Sequence, residues 1–356
     1  MSLSSIKEIE QFKTLVEQLD ACCEFIEQDT ITKNRISTIL LDNISEILLQ
    51  RCCQPLFEWD NFTKWIIPQK FTVSKKLKVS KYFDEKIRVI ESKNDIPQKI
   101  SQILSIGHKY RNDIYHRDKH NENTIGVITK IFFISVCDFF AKVGGGFAGL
   151  TIGGYNKSVD WLENYGLNKS LINFSEASYI IANMFKSRVD LKISVAAEIL
   201  TKDILKRIDD IKQLVNKELP WKSPEQINPT IKWFEFKEKY PEIEDQLSEN
   251  YRKYCYKISK GEAIDITPEK FKELEEKFRQ GYYKKVEEYQ PKINYSLIAS
   301  VAENAQALKE NKKISSLICK YYNLDKVLSE LEKYLDLAEA EWDRVVQQEI
   351  DIRRGK

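Results

Sequence analysis

The chain has 356 residues, of which 42% are hydrophobic and 31% are charged. This composition is typical of a globular protein with room for two or three domains. The 56 basic and 54 acidic residues leave a net charge of only +2, so any binding to nucleic acid must come from local patches. The most apolar run, Ile131 to Val136, is too short to span a bilayer, and the polar N-terminus does not resemble a signal peptide. We therefore expect a cytoplasmic protein without membrane contact.

Two amphipathic helices are predicted at the start of the chain, because apolar residues recur there at three- and four-residue steps. In the first helix the apolar face comprises Ile6, Ile9, Phe12, Leu15, Val16, Leu19, Cys22, Cys23 and Ile26, and in the second it comprises Ile36, Ile39, Leu40, Ile44, Ile47 and Leu48. The vicinal cysteine pairs do not have the spacing of zinc ligands, so we expect the cysteines to be small core residues.

Residues 55–79 are expected to be irregular, as an insertion or a short hairpin. Helical patterns then resume, with Ser80 as an N-cap, Pro97 as a first helical residue and Thr124 as the cap of a further helix. Residues 1–143 are therefore predicted to form one helical bundle.

A glycine-rich stretch follows this bundle. Gly144, Gly146 and Gly149 match the G-x-G-x-x-G pattern, but they follow a predicted helix, whereas a dinucleotide-binding loop must follow a strand. We interpret residues 144–169 as a junction, and we expect no cofactor.

Residues 170–356 are predicted to be a second helical region, with a possible further boundary near 220–230, where prolines interrupt the pattern. Its last helix carries a heptad seam. The seam comprises Leu324, Leu328, Leu331, Leu335, Ala338, Trp342 and Val345. The predicted fold class is all-α.

The three histidines of the chain, His108, His116 and His120, all lie within one short window. Histidine is the side chain best suited to proton transfer near neutral pH. Arg111 precedes His116 by five positions, so the two diverge by about 140° on an ideal helix and could flank one cleft. Asn112, four positions before His116, shares its face and could fix its tautomer.

Two other interpretations of this window remain open. Arg111 and His116 could form a helix-end ion-pair cluster with Asp113 and Asp118. Alternatively, His116 and His120 have the i, i+4 spacing of zinc ligands, and Asp113 or His108 could join them.

The pattern Arg111-Asn112-x-x-x-His116, extended by Tyr115 and Arg117, resembles the R-x4-H signature of the HEPN superfamily. The resemblance covers residues 1–143 only. It implies a helical bundle that dimerises so that two motifs form a composite site. It also implies a metal-independent endoribonuclease, often a toxin or an antiphage-defence effector that works with an antitoxin or another defence partner.

The resemblance also implies roles for individual residues. His116 would act as general acid or base when the ribose 2′-OH attacks the adjacent phosphate, Arg111 would stabilise the charge on that phosphate, and Asn112 would orient one of them. The products would be a 2′,3′-cyclic phosphate and a 5′-hydroxyl end. Supporting roles fall to Asp113, Tyr115 and His120, and weaker RNA contacts to Arg117 and Lys119. Some relatives carry a modified Tyr two residues after the His, where this chain has Asp118.

Basic and aromatic residues also alternate in the second half of the chain. Arg252, Lys253 and Tyr254 are candidates for RNA contact, as is the Tyr282–Lys285 cluster, because aromatic rings stack on bases and lysines neutralise phosphates. The sequence thus predicts an RNA-cleaving homodimer. The alternative is a non-catalytic HEPN-derived subunit that binds RNA or assembles a defence or toxin–antitoxin complex.

Overall fold

The computed structural model describes residues 3–93, 96–116, 122–144, 151–153, 157–167, 171–217, 224–241, 276, 280–282 and 284–354. Helices dominate, as the sequence predicts. In chain order they are α1 (Leu3–Gln28), α2 (Ile31–Phe62), α3 (Val73–Lys81), α4 (Phe83–Glu91), α5 (Gln98–His116), α6 (Glu122–Val143), α7 (Phe174–Arg188), α8 (Ile193–Lys217), α9 (Pro224–Lys239), α10 (Leu297–Gln306) and α11 (Ile314–Arg353). Short 3-10 segments span Thr63–Trp65, Lys157–Tyr165 and Ala307–Glu310.

One small element departs from the helical pattern. Strands β1 (Thr151–Gly153) and β2 (Leu171–Asn173) pair antiparallel, with Ile152 opposite Ile172. β1 lies within the predicted junction of residues 144–169, and β2 follows it, in residues that the sequence predicts to be helical. Two three-residue strands do not alter the fold class, and the all-α prediction is confirmed.

The chain divides into two compact units that differ from the predicted domains. The first comprises residues 1–203 and 307–322, and the second comprises residues 204–306 and 323–356. The difference arises because α7 packs against α1 and α6 instead of beginning a new domain.

Within the first unit, α2 and α6 pack together at the centre, and α1, α5 and α7 pack around them. The apolar face predicted for α1 supplies much of the core, including Phe12 and Val16. The face predicted for α2 is correct only for Ile44 and Leu48, because this helix also buries Leu41 and Leu49 and leaves Ile36 exposed. Polar contacts also cross the centre. The Thr38 hydroxyl of α2 lies 2.9 Å from the Thr129 hydroxyl of α6.

The cysteines behave as the sequence predicts. Cys22, Cys23, Cys53 and Cys137 are buried, and all the described cysteines are free thiols. Burial raises the pKa of the Cys22 and Cys137 thiols above the ordinary range, so these two thiols remain protonated and unreactive at neutral pH.

Helix α6 is the most apolar helix of the described chain. Residues Thr124–Val143 are long and apolar enough to cross a membrane by length and composition, but 78% of that window is buried inside the protein. The prediction based on the run from Ile131 to Val136 overlooked this longer stretch. The burial matches that of a core helix, whose neighbours are α2, α5 and α7.

Two local predictions in the first half are wrong. Helix α2 continues through Pro55 to Phe62, and residues 73–81 are helical, so residues 55–79 do not form a hairpin. A proline inside a helix costs about 3 kcal/mol, but Cys53 is fully buried and its neighbours pack on the core, which offsets that cost. Ser80 lies inside α3, with its hydroxyl donating to the carbonyl of Leu77.

Two helix boundaries also differ from the predictions. Glu122 begins α6, so Thr124 lies inside the first turn instead of capping it. Pro97 precedes α5, and its carbonyl accepts from the Ile100 amide, so it caps the helix instead of starting it.

In the second unit, α9 runs from Pro224 through Pro229, where the sequence predicts a possible boundary because of the prolines. Pro224 occupies the first helical position, where its missing N–H is not needed. Helix α11 carries the heptad seam. The seam residues Leu324, Leu328, Leu331, Leu335 and Ala338 are buried. The side chains of Trp342 and Val345 lie outside the described residues. Arg207 of α8 pairs with Asp325 of α11 at 2.5 Å.

Candidate functional site

The last two turns of α5 carry the predicted site, and the helix is fixed there by its neighbours. Gly107 lies against the Phe132 ring of α6, so close that a Cβ would stand 2.5 Å from ring carbons. On another face Tyr110 is buried, and its ring makes an edge contact with Tyr322 at 6.3 Å between centroids. The side chains that follow Gly107 are thus presented from a rigid element.

Two residues of this helix converge on one buried carboxylate of α2. The Nδ1 atom of His108 lies 2.8 Å from Oδ1 of Asp42, and the Nε atom of Arg111 lies 3.3 Å from its Oδ2. His108 and Arg111 are three positions apart and therefore share a face of α5. The Asp42 side chain is only 3% exposed, so its charge is compensated by these partners.

The contact with Asp42 fixes the imidazole of His108. Because a carboxylate only accepts hydrogen bonds, Nδ1 must carry the proton and donate it to Asp42, which leaves Nε2 as the basic nitrogen. The ring also stacks on Phe83, with centroids 4.1 Å apart and planes 3° from parallel. A histidine held in this way suits proton transfer.

The guanidinium of Arg111 has a second partner. Its Nη1 donates to Oδ1 of Asn112 at 2.9 Å, and the side chain keeps 36% of its surface exposed. An arginine held on two sides and still reached by solvent can receive a phosphate without first being ordered.

The structure covers the predicted site residues unevenly. Arg111, Asn112 and Asp113 are described, and the Oδ1 atom of Asn112 contacts Arg111. His116 is the last residue of α5, but its side chain and that of Tyr115 lie outside the described residues. The remaining predicted residues, Arg117, Lys119, His120, Arg252, Lys253 and Tyr254, also lie outside them. The acid observed at Arg111 is Asp42. The interpretation of an ion-pair cluster with Asp113 and Asp118 stays a prediction, because Asp118 lies outside the described residues.

Asp42 is the residue that the sequence analysis missed. Asp42 lies between the buried residues Leu41 and Ile44 of α2, but it falls outside the apolar face that the sequence predicts for this helix. An acid at a core-facing position usually needs a partner from another element. The identity of that partner depends on how α2 and α5 pack, which the sequence pattern does not reveal.

A second candidate for RNA contact lies in the second unit. A pocket of about 470 Å³ is lined by the aromatic residues Phe236, Tyr240 and Tyr289 and by Lys239, Lys285, Glu288 and Gln290. The Lys239 ammonium lies 4.9 Å from the centre of the Tyr289 ring, and the Tyr289 hydroxyl donates to Glu235 at 2.8 Å. Burial and that hydrogen bond raise the pKa of Tyr289 to about 12, so its ring stays neutral.

The described part of the chain offers no metal-binding cluster. Within the described ranges, no group of three or more His, Cys, Asp or Glu side chains could hold a metal ion. No protein-family model, no curated protein and no solved structure matches the chain.

Proposed function

We propose that the chain is a metal-independent endoribonuclease of HEPN type. The observation that carries this proposal is the state of Arg111, which is oriented by Asp42 and Asn112 but still partly exposed. A guanidinium prepared in this way can bind a phosphate and stabilise the charge that develops on it during cleavage. The same arginine begins the R-x4-H pattern that resembles the HEPN superfamily.

In the proposed reaction, the 2′-oxygen of a ribose attacks the adjacent phosphorus and the bond to the 5′-oxygen of the next nucleotide breaks. A base removes the proton of the 2′-hydroxyl, and an acid supplies a proton to the leaving 5′-oxygen. His116 takes one of these roles, as the resemblance implies. The products are a 2′,3′-cyclic phosphate and a 5′-hydroxyl end.

The setting of this activity follows from the resemblance. The chain would act as a homodimer with a composite site, as a toxin or antiphage effector with an antitoxin or other defence partner. The aromatic and lysine-lined pocket of the second unit supports RNA as the substrate class, because rings stack on bases and ammonium groups neutralise phosphates.

One observation favours the alternative of a non-catalytic RNA-binding or assembly subunit. Arg111 is ion-paired with a buried acid, which is also what a purely structural arginine would show. The two functions differ in whether RNA is cut, so one experiment separates them.

The experiment is incubation of the purified protein with structured and unstructured RNA in excess EDTA, beside the variants Arg111→Ala and His116→Ala. We expect cleavage by the unchanged protein, a loss of about 100-fold or more in each variant, and 2′,3′-cyclic phosphate ends. Lys99→Ala is the matched control, because Lys99 is an exposed cation on the same helix.

Each other outcome has a distinct meaning. Cleavage that requires a metal ion would replace the proposal with a metal site. Cleavage lost in His108→Ala but kept in His116→Ala would move the proton transfer to the histidine that Asp42 holds. Absence of cleavage for every RNA tested, with RNA still bound, would favour the non-catalytic subunit.

A further inference from the structure

The end of α2 and the segment after it expose large apolar side chains. Trp65 is 84% exposed and Ile66 is 82% exposed. We call the whole exposed set the apolar tip; it comprises Trp59, Phe62, Trp65, Ile66, Ile67, Val73 and Leu77. Single exposed apolar residues are ordinary, but a contiguous group of them marks an interaction site.

Helical spacing aligns the side chains of the apolar tip. Trp59 and Phe62 are three positions apart on α2, which places them on one face, and their rings lie 6.2 Å apart. Trp65 and Ile66 follow directly after this helix. Val73 and Leu77 are four positions apart on α3. Two elements therefore present apolar surface to solvent.

The same segment is strongly basic. Residues 61–82 contain six lysines and no aspartate, glutamate or arginine. Three of these lysines have acidic partners outside the segment, since Lys76 pairs with Asp60 and both Lys75 and Lys78 pair with Glu85. For Lys64, Lys70 and Lys81, no acid lies within ion-pair distance among the residues that the structure describes.

We propose that the apolar tip inserts into the surface of an anionic membrane, with the surrounding lysines contacting lipid headgroups. Tryptophan and large aliphatic side chains partition into the boundary between headgroups and acyl chains. Lysines beside them keep their ammonium groups at the headgroup level. Such peripheral insertion needs no spanning helix, and it is independent of the proposed ribonuclease activity. It departs from the sequence-based expectation of a protein without membrane contact, which considered only spanning segments and signal peptides.

Other occupants fit this surface less well. A second copy of the chain would bring two sets of lysines together, and the like charges would repel each other. Protein interfaces are enriched in arginine and depleted in lysine, whereas the cations here are all lysines. Single-stranded RNA would stack on Trp59 or Trp65, but it offers nothing to Ile66, Ile67, Val73 and Leu77.

The experiment is flotation of the full chain with phosphatidylcholine vesicles, with and without about 30% phosphatidylserine. We expect binding to the anionic vesicles only, a blue shift of tryptophan emission, and weakening in about 0.5 M salt. Trp65→Ala combined with Ile66→Ala should weaken binding by at least about ten-fold. Lys64→Glu combined with Lys70→Glu should weaken it by about five-fold for each lysine.

Matched controls remove the same kinds of side chain from other positions. Tyr179→Ala combined with Val195→Ala takes away exposed apolar surface elsewhere in the first unit, and Lys202→Glu reverses an exposed charge there. Both should bind like the unchanged protein. All seven substituted residues are exposed, so the four variants should retain their fold, which circular dichroism checks.

Three results would overturn the proposal. The first is no binding to anionic vesicles, or binding that the tip variants do not weaken. The second is a homodimer that dissociates in Trp65→Ala combined with Ile66→Ala, which would make the tip an interface between copies. The third is a loss of single-stranded RNA binding in these variants while vesicle binding is unchanged.

Discussion

At the residue scale, Gly107 allows α5 to pack closely against α6, because it has no side chain. A Cβ at this position would stand 2.5 Å from the Phe132 ring, which is buried and cannot move aside cheaply. Gly107→Ala gains up to about 1 kcal/mol in helix propensity, but overpacking in a core typically costs about 1–3 kcal/mol. We therefore expect a net loss of about 1–2 kcal/mol in the free energy of unfolding, measured by urea denaturation.

Ser105→Ala is the control for this prediction, because Ser105 lies two positions away on the same helix and is only partly buried. It should change stability by less than about 0.5 kcal/mol. A Gly107→Ala variant that is as stable as the unchanged protein would show that α5 and α6 can separate without cost.

The candidate site could be predicted only in part from the sequence. The clustering of the histidines and the position of Arg111 are visible along the chain, because helical periodicity relates neighbouring residues. The Asp42–His108 contact joins residues 66 positions apart. Such a contact depends on which helix faces which, and local pattern does not carry that information.

At the scale of elements, Glu85 joins α4 to α3. Its buried carboxylate lies 2.6 Å from the Lys75 ammonium and 3.2 Å from that of Lys78. The hydrogen bond from Lys75 has the largest effect on the pKa of Glu85 and lowers it. Burial raises the pKa, but the hydrogen bond from Lys78 lowers it further, so the pKa falls from 4.5 to about 2. The folded protein therefore favours the charged form of this carboxyl more than the unfolded chain does.

This pKa shift predicts how stability depends on pH. A carboxyl whose pKa is lowered by folding contributes its full stability above the unfolded pKa, and that contribution disappears as the pH falls through the folded value. Glu85→Gln should therefore be less stable than the unchanged protein at neutral pH, and the difference should shrink between about pH 4.5 and pH 2. Denaturation curves at several pH values measure this difference.

Glu58→Gln is the control, since Glu58 is exposed on α2 and accepts a hydrogen bond from the side-chain amide of Gln54 at 2.9 Å. A constant difference between Glu85→Gln and the unchanged protein over the whole pH range would contradict the prediction. It would mean that the ion pairs with α3 do not contribute to folding.

The elements themselves were predictable where apolar periodicity is strong. The face of α1 matches the buried residues, because burial of one stripe is what makes a helix stable in a protein. The face predicted for α2 matches only in part, since Ile44 and Leu48 are buried but Ile36 is exposed, and Leu41 and Leu49 are buried instead. Prediction failed at Pro55 and Pro229, where local propensity disfavours a helix that the structure nevertheless continues. Tertiary packing outweighs propensity at such positions, and its strength cannot be inferred from single residues.

At the scale of the whole molecule, α7 belongs to the first unit because of specific contacts. Arg188 pairs with Asp20 and Glu27 of α1 at 2.8 and 2.9 Å, and Lys186 pairs with Asp138 of α6 at 2.6 Å. The apolar face of α7 is buried in the core of the first unit. That face comprises Phe174, Ala177, Ile181, Ala182 and Phe185. The sequence predicted a boundary at residue 143 because glycines follow it, but α7, which comes after these glycines, packs in the same core.

A fragment of residues 1–143 should therefore not fold cooperatively. Truncating one buried phenylalanine to alanine typically costs about 3–5 kcal/mol, and removal of α7 deletes two fully buried phenylalanines, Phe174 and Phe185. Their combined loss approaches the whole stability of an ordinary domain, about 5–15 kcal/mol.

Thermal unfolding followed by circular dichroism should show a broad, shallow transition for this fragment. A fragment of residues 1–203, which retains α7, should unfold more sharply and at higher temperature. Equal melting curves for the two fragments would show that the first six helices form a domain without α7.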